Sequence, residues 1–243
     1  MVLSLFLTLT VYYLYRPVDT FSQADQSDFP VIIIDPGHGG FDGGAETADG
    51  IPEKDINLEI SNILKDYLDA FGFKTVMTRE SDISVEDEGL STIRQRKVSD
   101  LRNRKKLMDE YENCIYVCIH QNYFEEEKYS GMQVFYSPAS KEYSAVLAQC
   151  IQKATVGYLQ PDNERMIKAC PDSVYIINTA EKPAVLVECG FLSNKAEAEN
   201  TTQLNYQFLN KNILLFLCKN ILNPSFNQKS AQLSIVTKFP AQL

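Results

Sequence analysis

Three short apolar runs, VIII (31–34), CIYVCI (114–119) and AVLV (184–187), punctuate a chain otherwise patterned for helices. Runs this short, rich in branched residues and without alternation, suit strands covered on both faces, because a strand with one wet face carries polar residues at every second position. FKTVMT (73–78) reads as a further strand, SVYIIN (173–178) as another, and GMQVFYS (131–137) alternates as an edge strand would. Between them run helical periods. Ile56, Ile60, Ile63, Leu64, Tyr67, Leu68 and Phe71 keep helical spacing, with Pro52 suited to the first turn and Gly72 to the end. Residues 96–110, 141–159 and 206–222 read as further helices. Strands alternating with helices predict an α/β fold, a mainly parallel sheet with helices on both faces.

With 243 residues the chain suits one good-sized core and is short for two. A formal charge of −9 leaves no basic footprint for a phosphate backbone, which argues against nucleic acid as a partner. Residues 2–15, VLSLFLTLTVYYLY, carry no charge. A bilayer span takes about 20 apolar residues, so this run is nearer a signal-peptide core. The basic residues that should precede such a core are missing and Arg16 follows it, so the true start is expected upstream of Met1. Residues 1–15 are accordingly expected to be an export signal or membrane anchor, 16–30 a linker, 31–222 the folded domain and 223–243 a loosely ordered tail. Six cysteines form no C-x-x-C pair; buried free thiols are expected, with disulfides open to an exported protein.

Chemistry-bearing residues gather at strand ends. The chain has two histidines, and both follow apolar strands: His38 after VIIIDPG and His120 after CIYVCI. In an α/β sheet, ligands bind beyond the carboxyl ends of the strands. Glu53 opens the first predicted helix on the same rim, and six of the eleven glycines lie in residues 37–50 between it and the first strand. Two imidazoles and a carboxylate suit zinc with a fourth position left for water. Each residue also has an ordinary role, a satisfied loop histidine or a carboxylate on a helix dipole, and no H-E-x-x-H pattern decides between them. Glu188 closes AVLVE, where a carboxylate must meet a polar pocket or suffer desolvation. It is placed to act as general base, or else to pair with Lys182 or Arg165. Asp35 is a candidate support for a histidine, or simply part of a D-P-G turn. A thiol hydrolase using Cys189 or Cys118 with His120 is a rival chemistry.

IIIDPGHGGFDGGA, EKDINLEI, IHQN and PAVLVECGFLSN, in that order, resemble the zinc-dependent N-acetylmuramoyl-L-alanine amidases of the third amidase family. The resemblance spans residues 31–222 and implies a mixed, mainly parallel six-stranded sheet flanked by helices. It implies zinc on His38, Glu53 and His120, and catalysis by Glu188. RKVSDLRNRKK, GMQVFYS, NERMIKAC and VECGFLSN resemble the germination-specific, spore-cortex branch, whose members strip the stem peptide so that muramic-δ-lactam can form. That implies an exported enzyme acting on peptidoglycan in the spore envelope, delivered by a membrane tether or accessory protein. A vegetative wall amidase of the same chemistry and a non-catalytic wall-binding module are the alternatives, though no wall-binding repeat is evident. Asn122 and Arg165 are the candidates for holding substrate, Arg165 because its fork suits a carboxylate or lactyl oxygen.

Overall fold

The structure, a computed structural model, describes residues 29–201. The expected N-terminal signal, almost all of the linker, the helix 206–222, the tail and Cys218 lie outside the described residues. Six strands form one sheet: β1 (Val31–Pro36), β2 (Thr75–Met77), β3 (Cys114–Asn122), β4 (Gln133–Tyr136), β5 (Lys168–Ala169) and β6 (Ala184–Phe191). Their order is β2-β1-β3-β6-β4-β5. All neighbours run parallel except β4 against β6, so the sheet is mixed and mainly parallel, as expected.

Both faces are covered. Helices α1 (Glu53–Ala70) and α3 (Lys141–Tyr158) bury Ile56, Ile60, Leu64, Leu147 and Ile151 against Ile32, Ile34, Val185 and Val187. The other face packs Ile33, Tyr116 and Leu186 beneath Met108 of α2 (Ile93–Asp109) and beneath Ile176 and Ile177 of α4 (Tyr175–Asn178). Helix α5 (Lys195–Thr201) follows β6. Alternate residues of each central strand thus enter opposite cores, which is why the strands read as unbroken apolar runs. Helix α2 begins earlier than its apolar spacing indicates, at a capping box in which Thr92 accepts from Gln95 N at 3.2 Å and Gln95 Oε1 accepts from Thr92 N at 3.2 Å.

Two expectations are corrected. Residues 173–178 are not a strand: Asn178 N bonds Val174 O and Thr179 N bonds Tyr175 O, and one helical turn tucks both adjacent isoleucines into the same core. A four-residue apolar run carries too little period to separate the two conformations. Nor is β4 an edge, since Phe135 and Tyr136 pair with the two exposed residues of β5, a strand too short and polar to be read.

Among the described residues Asp35 makes no hydrogen bond to a histidine side chain, and it lies within β1 rather than in a turn. It ends β1 as a buried carboxylate, accepting from Arg104 Nη1 at 2.6 Å, Thr78 Oγ1 at 2.5 Å and Cys118 Sγ at 3.1 Å. Burial alone would raise its pKa, but the Arg104 guanidinium and these donors outweigh it and hold the carboxyl well below the usual range. Removing one partner strands the other's charge, so Asp35→Ala is expected to cost about 3–5 kcal/mol in urea unfolding. Because the folded pKa is depressed, the native contribution is complete above the unfolded value and fades as pH falls below about 4. Acid titration should therefore narrow the gap between wild type and variant.

Candidate functional site

The carboxyl ends of β1, β3 and β6 meet the start of α1, and four of the singled-out residues stand there. Glu53 is buried at the first turn of α1, its amide bonded to Ala45 O at 2.8 Å. Its Oε1 lies 2.9 Å from His120 Nδ1 and its Oε2 lies 3.2 Å from His38 Nε2. Ligand atoms from His38, Glu53 and His120 all fall within 4.8 Å of one another, close enough to hold one metal ion. Ala45 N and Gln121 N each donate to Glu53 at 3.0 Å, and Asn57 Nδ2 at 3.2 Å, so its orientation is held from three directions. Burial alone would raise the Glu53 carboxyl, but His120 and His38 outweigh it and hold it well below its ordinary value.

His38 sits at φ 60, the left-handed region that costs a non-glycine residue about 1–2 kcal/mol. Two buried arginines hold the loop there. Arg104 Nη2 donates to His38 O at 2.7 Å and its Nη1 to Pro36 O at 2.9 Å. Arg79 donates to Pro36 O at 3.0 Å, Gly37 O at 3.0 Å and Lys54 O at 2.7 Å, tying the loop to α1. His38 Nδ1 lies 3.1 Å from Asp42 Oδ2, which orients the ring and leaves Nε2 toward Glu53. Burial lowers the His38 pKa, but Asp42 and Glu53 overcome it and raise it to about 9.

Glu188 is the register partner of His120 across β3 and β6. Its Oε2 is sealed from solvent with no hydrogen-bond partner among the described residues. Burial raises its pKa, more than the nearby imidazoles lower it. It pairs with neither Lys182, which donates to Glu112 O, nor Arg165. Arg165 reaches the neighbourhood indirectly: Nη1 donates to Gln133 Oε1 at 3.2 Å, and Gln133 is the register partner of Glu188 on β4. Its guanidinium lies 4.6 Å over the Phe191 ring, with no carboxylate partner among the described residues. Asn122 pairs with Phe191 beyond a register shift after His120, and no hydrogen bond joins its side chain to the histidines among the described residues.

The thiols offer no rival. Cys118 and Cys189 are buried, and burial pushes both well above the ordinary thiol range, away from a reactive thiolate. The five described cysteines are free. Reading of the sequence missed Arg79, Arg104, Asp42 and Asn57. Arg79 had a signal, a charge placed directly after an apolar strand, and Asp42 stands four residues after His38. Nothing in the spacing of α2 singled out Arg104 from the six Lys and Arg residues at 94–106 that surround it.

A cavity of about 220 Å³ opens from the two histidines and runs between α2 and α4. A more open hollow of about 510 Å³ lies beside Ser130, Asn163 and Arg165.

The α/β sheet thus gathers at its strand ends a His–Glu–His cluster that could hold a metal ion, and similarity to known proteins places the chain in a family. The family model for N-acetylmuramoyl-L-alanine amidase (Amidase_3) matches residues 32–218, and the chain belongs to that family of enzymes. It is 38% identical over 177 residues to the germination-specific N-acetylmuramoyl-L-alanine amidase of Bacillus subtilis (strain 168), covering 73% of each chain. Its fold matches the CwlD amidase of Clostridioides difficile, solved in complex with the GerS lipoprotein, at TM-score 0.73 and 37% identity over 78% of this chain and 97% of that one. An N-acetylmuramoyl-L-alanine amidase from Clostridium difficile 630 matches at TM-score 0.68 and 26% identity, over 81% and 98%. Among the described residues, no helix is long and apolar enough to cross a membrane.

Two glycines are required by the site. A Cβ on Gly37 would stand 2.3 Å from His120 Nε2, and one on Gly44, at φ +72, would stand 2.6 Å from Glu53 Oε2 and 2.7 Å from His38 Cδ2. Gly37→Ala should therefore displace the imidazole and weaken divalent-metal affinity about 10–100-fold, measured by chelator competition. Gly157, where an added Cβ meets nothing within 4 Å, is the control: Gly157→Ala should leave affinity unchanged.

Proposed function

We propose that this chain hydrolyses the amide joining N-acetylmuramic acid to L-alanine in peptidoglycan, using zinc held by His38, Glu53 and His120 and Glu188 as general base. The donor set fits the ion, because two imidazoles and one carboxylate, mutually within 4.8 Å, match a three-ligand catalytic zinc site with one position open. Zinc at such a site lowers the pKa of water to about 7 and polarises a carbonyl. The observation that carries the reading is Glu188 Oε2, buried and unpartnered beside His120. A carboxylate with a raised pKa and a free oxygen is equipped to take a proton from the attacking water. It returns that proton to the nitrogen of L-alanine as the carbon–nitrogen bond breaks, which leaves the lactyl group as a carboxylic acid and frees the peptide amine. Arg165 and Asn122 are assigned to holding substrate.

The cortex reading rests on the germination-specific relative and on the segments that resemble that branch. We assign the enzyme to stem-peptide removal before muramic-δ-lactam forms in the forming spore envelope. We assign residues 1–15 to an export signal or membrane anchor, on their uncharged composition. The complex of the Clostridioides difficile enzyme with a lipoprotein supports an accessory protein or membrane tether here as well.

Three outcomes test this. His38→Ala and His120→Ala should each abolish binding of about one zinc per chain, and a fully active metal-free enzyme would end the reading. Glu188→Gln should keep zinc and fold while kcat falls about 10²–10⁴-fold, since the amide cannot accept a proton. Near-normal turnover would move the base elsewhere. Spores lacking the gene should contain no muramic-δ-lactam while vegetative wall composition stays unchanged; normal lactam together with dividing cells that fail to separate would instead indicate a vegetative wall amidase.

A further inference from the structure

Directly after Glu188 the sheet changes its pairing on both sides. Toward β3 the register slips: His120 faces Glu188 but Asn122 faces Phe191, so one residue of β3 spans two of β6. A bulge of this kind, uncommon between parallel strands, takes backbone out of the ladder and re-aims the side chains beside it. Toward β4 the antiparallel ladder ends at the pair Gln133 and Glu188 itself. The amides just past both breaks turn to a single side chain. Glu197 Oε1 accepts from Gly131 N at 2.8 Å, and its Oε2 accepts from Phe191 N at 2.8 Å. One carboxylate thereby joins the entry of β4 to the exit of β6, across the strand pair that carries Glu188. A carboxylate suits the task, since it offers two acceptor oxygens and its charge strengthens each bond.

Glu197 is itself fixed. Its amide donates to Asn194 Oδ1 at 3.2 Å, and Asn194 Nδ2 donates to Glu127 O at 2.9 Å and Tyr129 O at 3.3 Å, which ties the start of α5 to the loop between β3 and β4. Gly190, inside the bulge, leaves room for the carboxylate: a Cβ there would stand 3.4 Å from Glu197 Oε2. Glu188 Oε2, by contrast, is buried with no hydrogen-bond partner among the described residues, so the aim of that oxygen depends on the backbone next to it. We propose that Glu197 is a positioning residue for Glu188, its carboxylate holding the bulge in β6 and the end of the β4 ladder so that Glu188 keeps its place beside His120. This rests on the reading of Glu188 as general base. A reacting group displaced by about 1 Å can lose about 10²-fold in rate, so a clamp on the neighbouring backbone acts on turnover without touching substrate.

The experiment compares the zinc-loaded full chain and its variants on an N-acetylmuramoyl-peptide, with zinc affinity measured separately by chelator competition. Glu197→Ala removes the clamp, and Glu197→Gln keeps its size and helix preference but offers one carbonyl oxygen to two amides. Each should lower kcat about 10–100-fold while KM stays within about twofold and zinc affinity within about threefold. In a Glu188→Gln background the same substitutions should lower the residual kcat less than about twofold, because a residue acting through Glu188 then has nothing left to position. Lys195→Ala, which frees only a surface pair with Glu199 at 3.9 Å, should leave kcat unchanged and so separate the clamp from general loosening of α5. Should Glu197→Ala melt well below wild type, Glu197→Gln carries the comparison. Equal losses in both backgrounds, or zinc affinity falling in step with kcat, would overturn the proposal. So would a rise in KM at unchanged kcat, which would make Glu197, a lining residue of the hollow beside Arg165, a substrate contact. Near-normal turnover by Glu188→Gln alone would end the general-base reading and this proposal with it.

Discussion

The carboxylate of Glu53 lies between two imidazoles and two backbone amides, 2.9–3.2 Å from each, and the geometry of the whole rim follows from satisfying it. A buried carboxylate is costly unless its oxygens are paired. Pairing this one requires β3 to deliver the Gln121 amide, the glycine-rich loop to deliver the Ala45 amide, and α1 to begin at Glu53 itself. Each element is therefore placed to within a hydrogen bond by a single side chain. Asn57, one turn later, extends the arrangement, bonding Glu53, the Gly37 carbonyl and the Gln121 amide group.

Behind this carboxylate stands a second layer built on backbone carbonyls. Arg79 and Arg104 are both buried, yet between them they take Pro36 O, Gly37 O, His38 O, Ser81 O and Lys54 O. A loop with so many glycines would otherwise sample many conformations, and His38 would relax from its left-handed backbone. Ionic partners are shared unequally. Arg104 pairs with Asp35 and Asp100, whereas Arg79 rests on carbonyls and its pKa is pushed down to about 10 by burial and by the charge of Arg104. The arginines beneath the loop tie it down, because they cannot leave without stranding its carbonyls.

Much of this was legible beforehand because parallel strands covered on both faces write themselves as apolar runs. β1, β3 and β6 were located from that pattern, and so was α1 from its helical spacing. Where the pattern was weak the reading failed. YIIN is too short for a period to show, and became a helical turn that now walls the cleft. Lys168 and Ala169 have no strand signature at all, so the sequence pattern makes β4 look like an edge. Phe71, included in the apolar stripe of α1, ends outside the helix and is 51% exposed.

By itself the sequence determined which residues could stand at the carboxyl edge of the sheet, because a residue directly after an apolar run has nowhere else to go. It placed His38, His120 and Glu188 there and named the family through the order of its motifs. Only the tertiary structure decided that Glu53 lies between both imidazoles, that Glu188 keeps one oxygen unpartnered, and that Asp35 turns away from the histidines toward Arg104. Those outcomes depend on strand order and register, which bring residues 67 positions apart within 2.9 Å. Local pattern carries no information about register between distant strands; it emerges when the two cores and the buried charges are satisfied together.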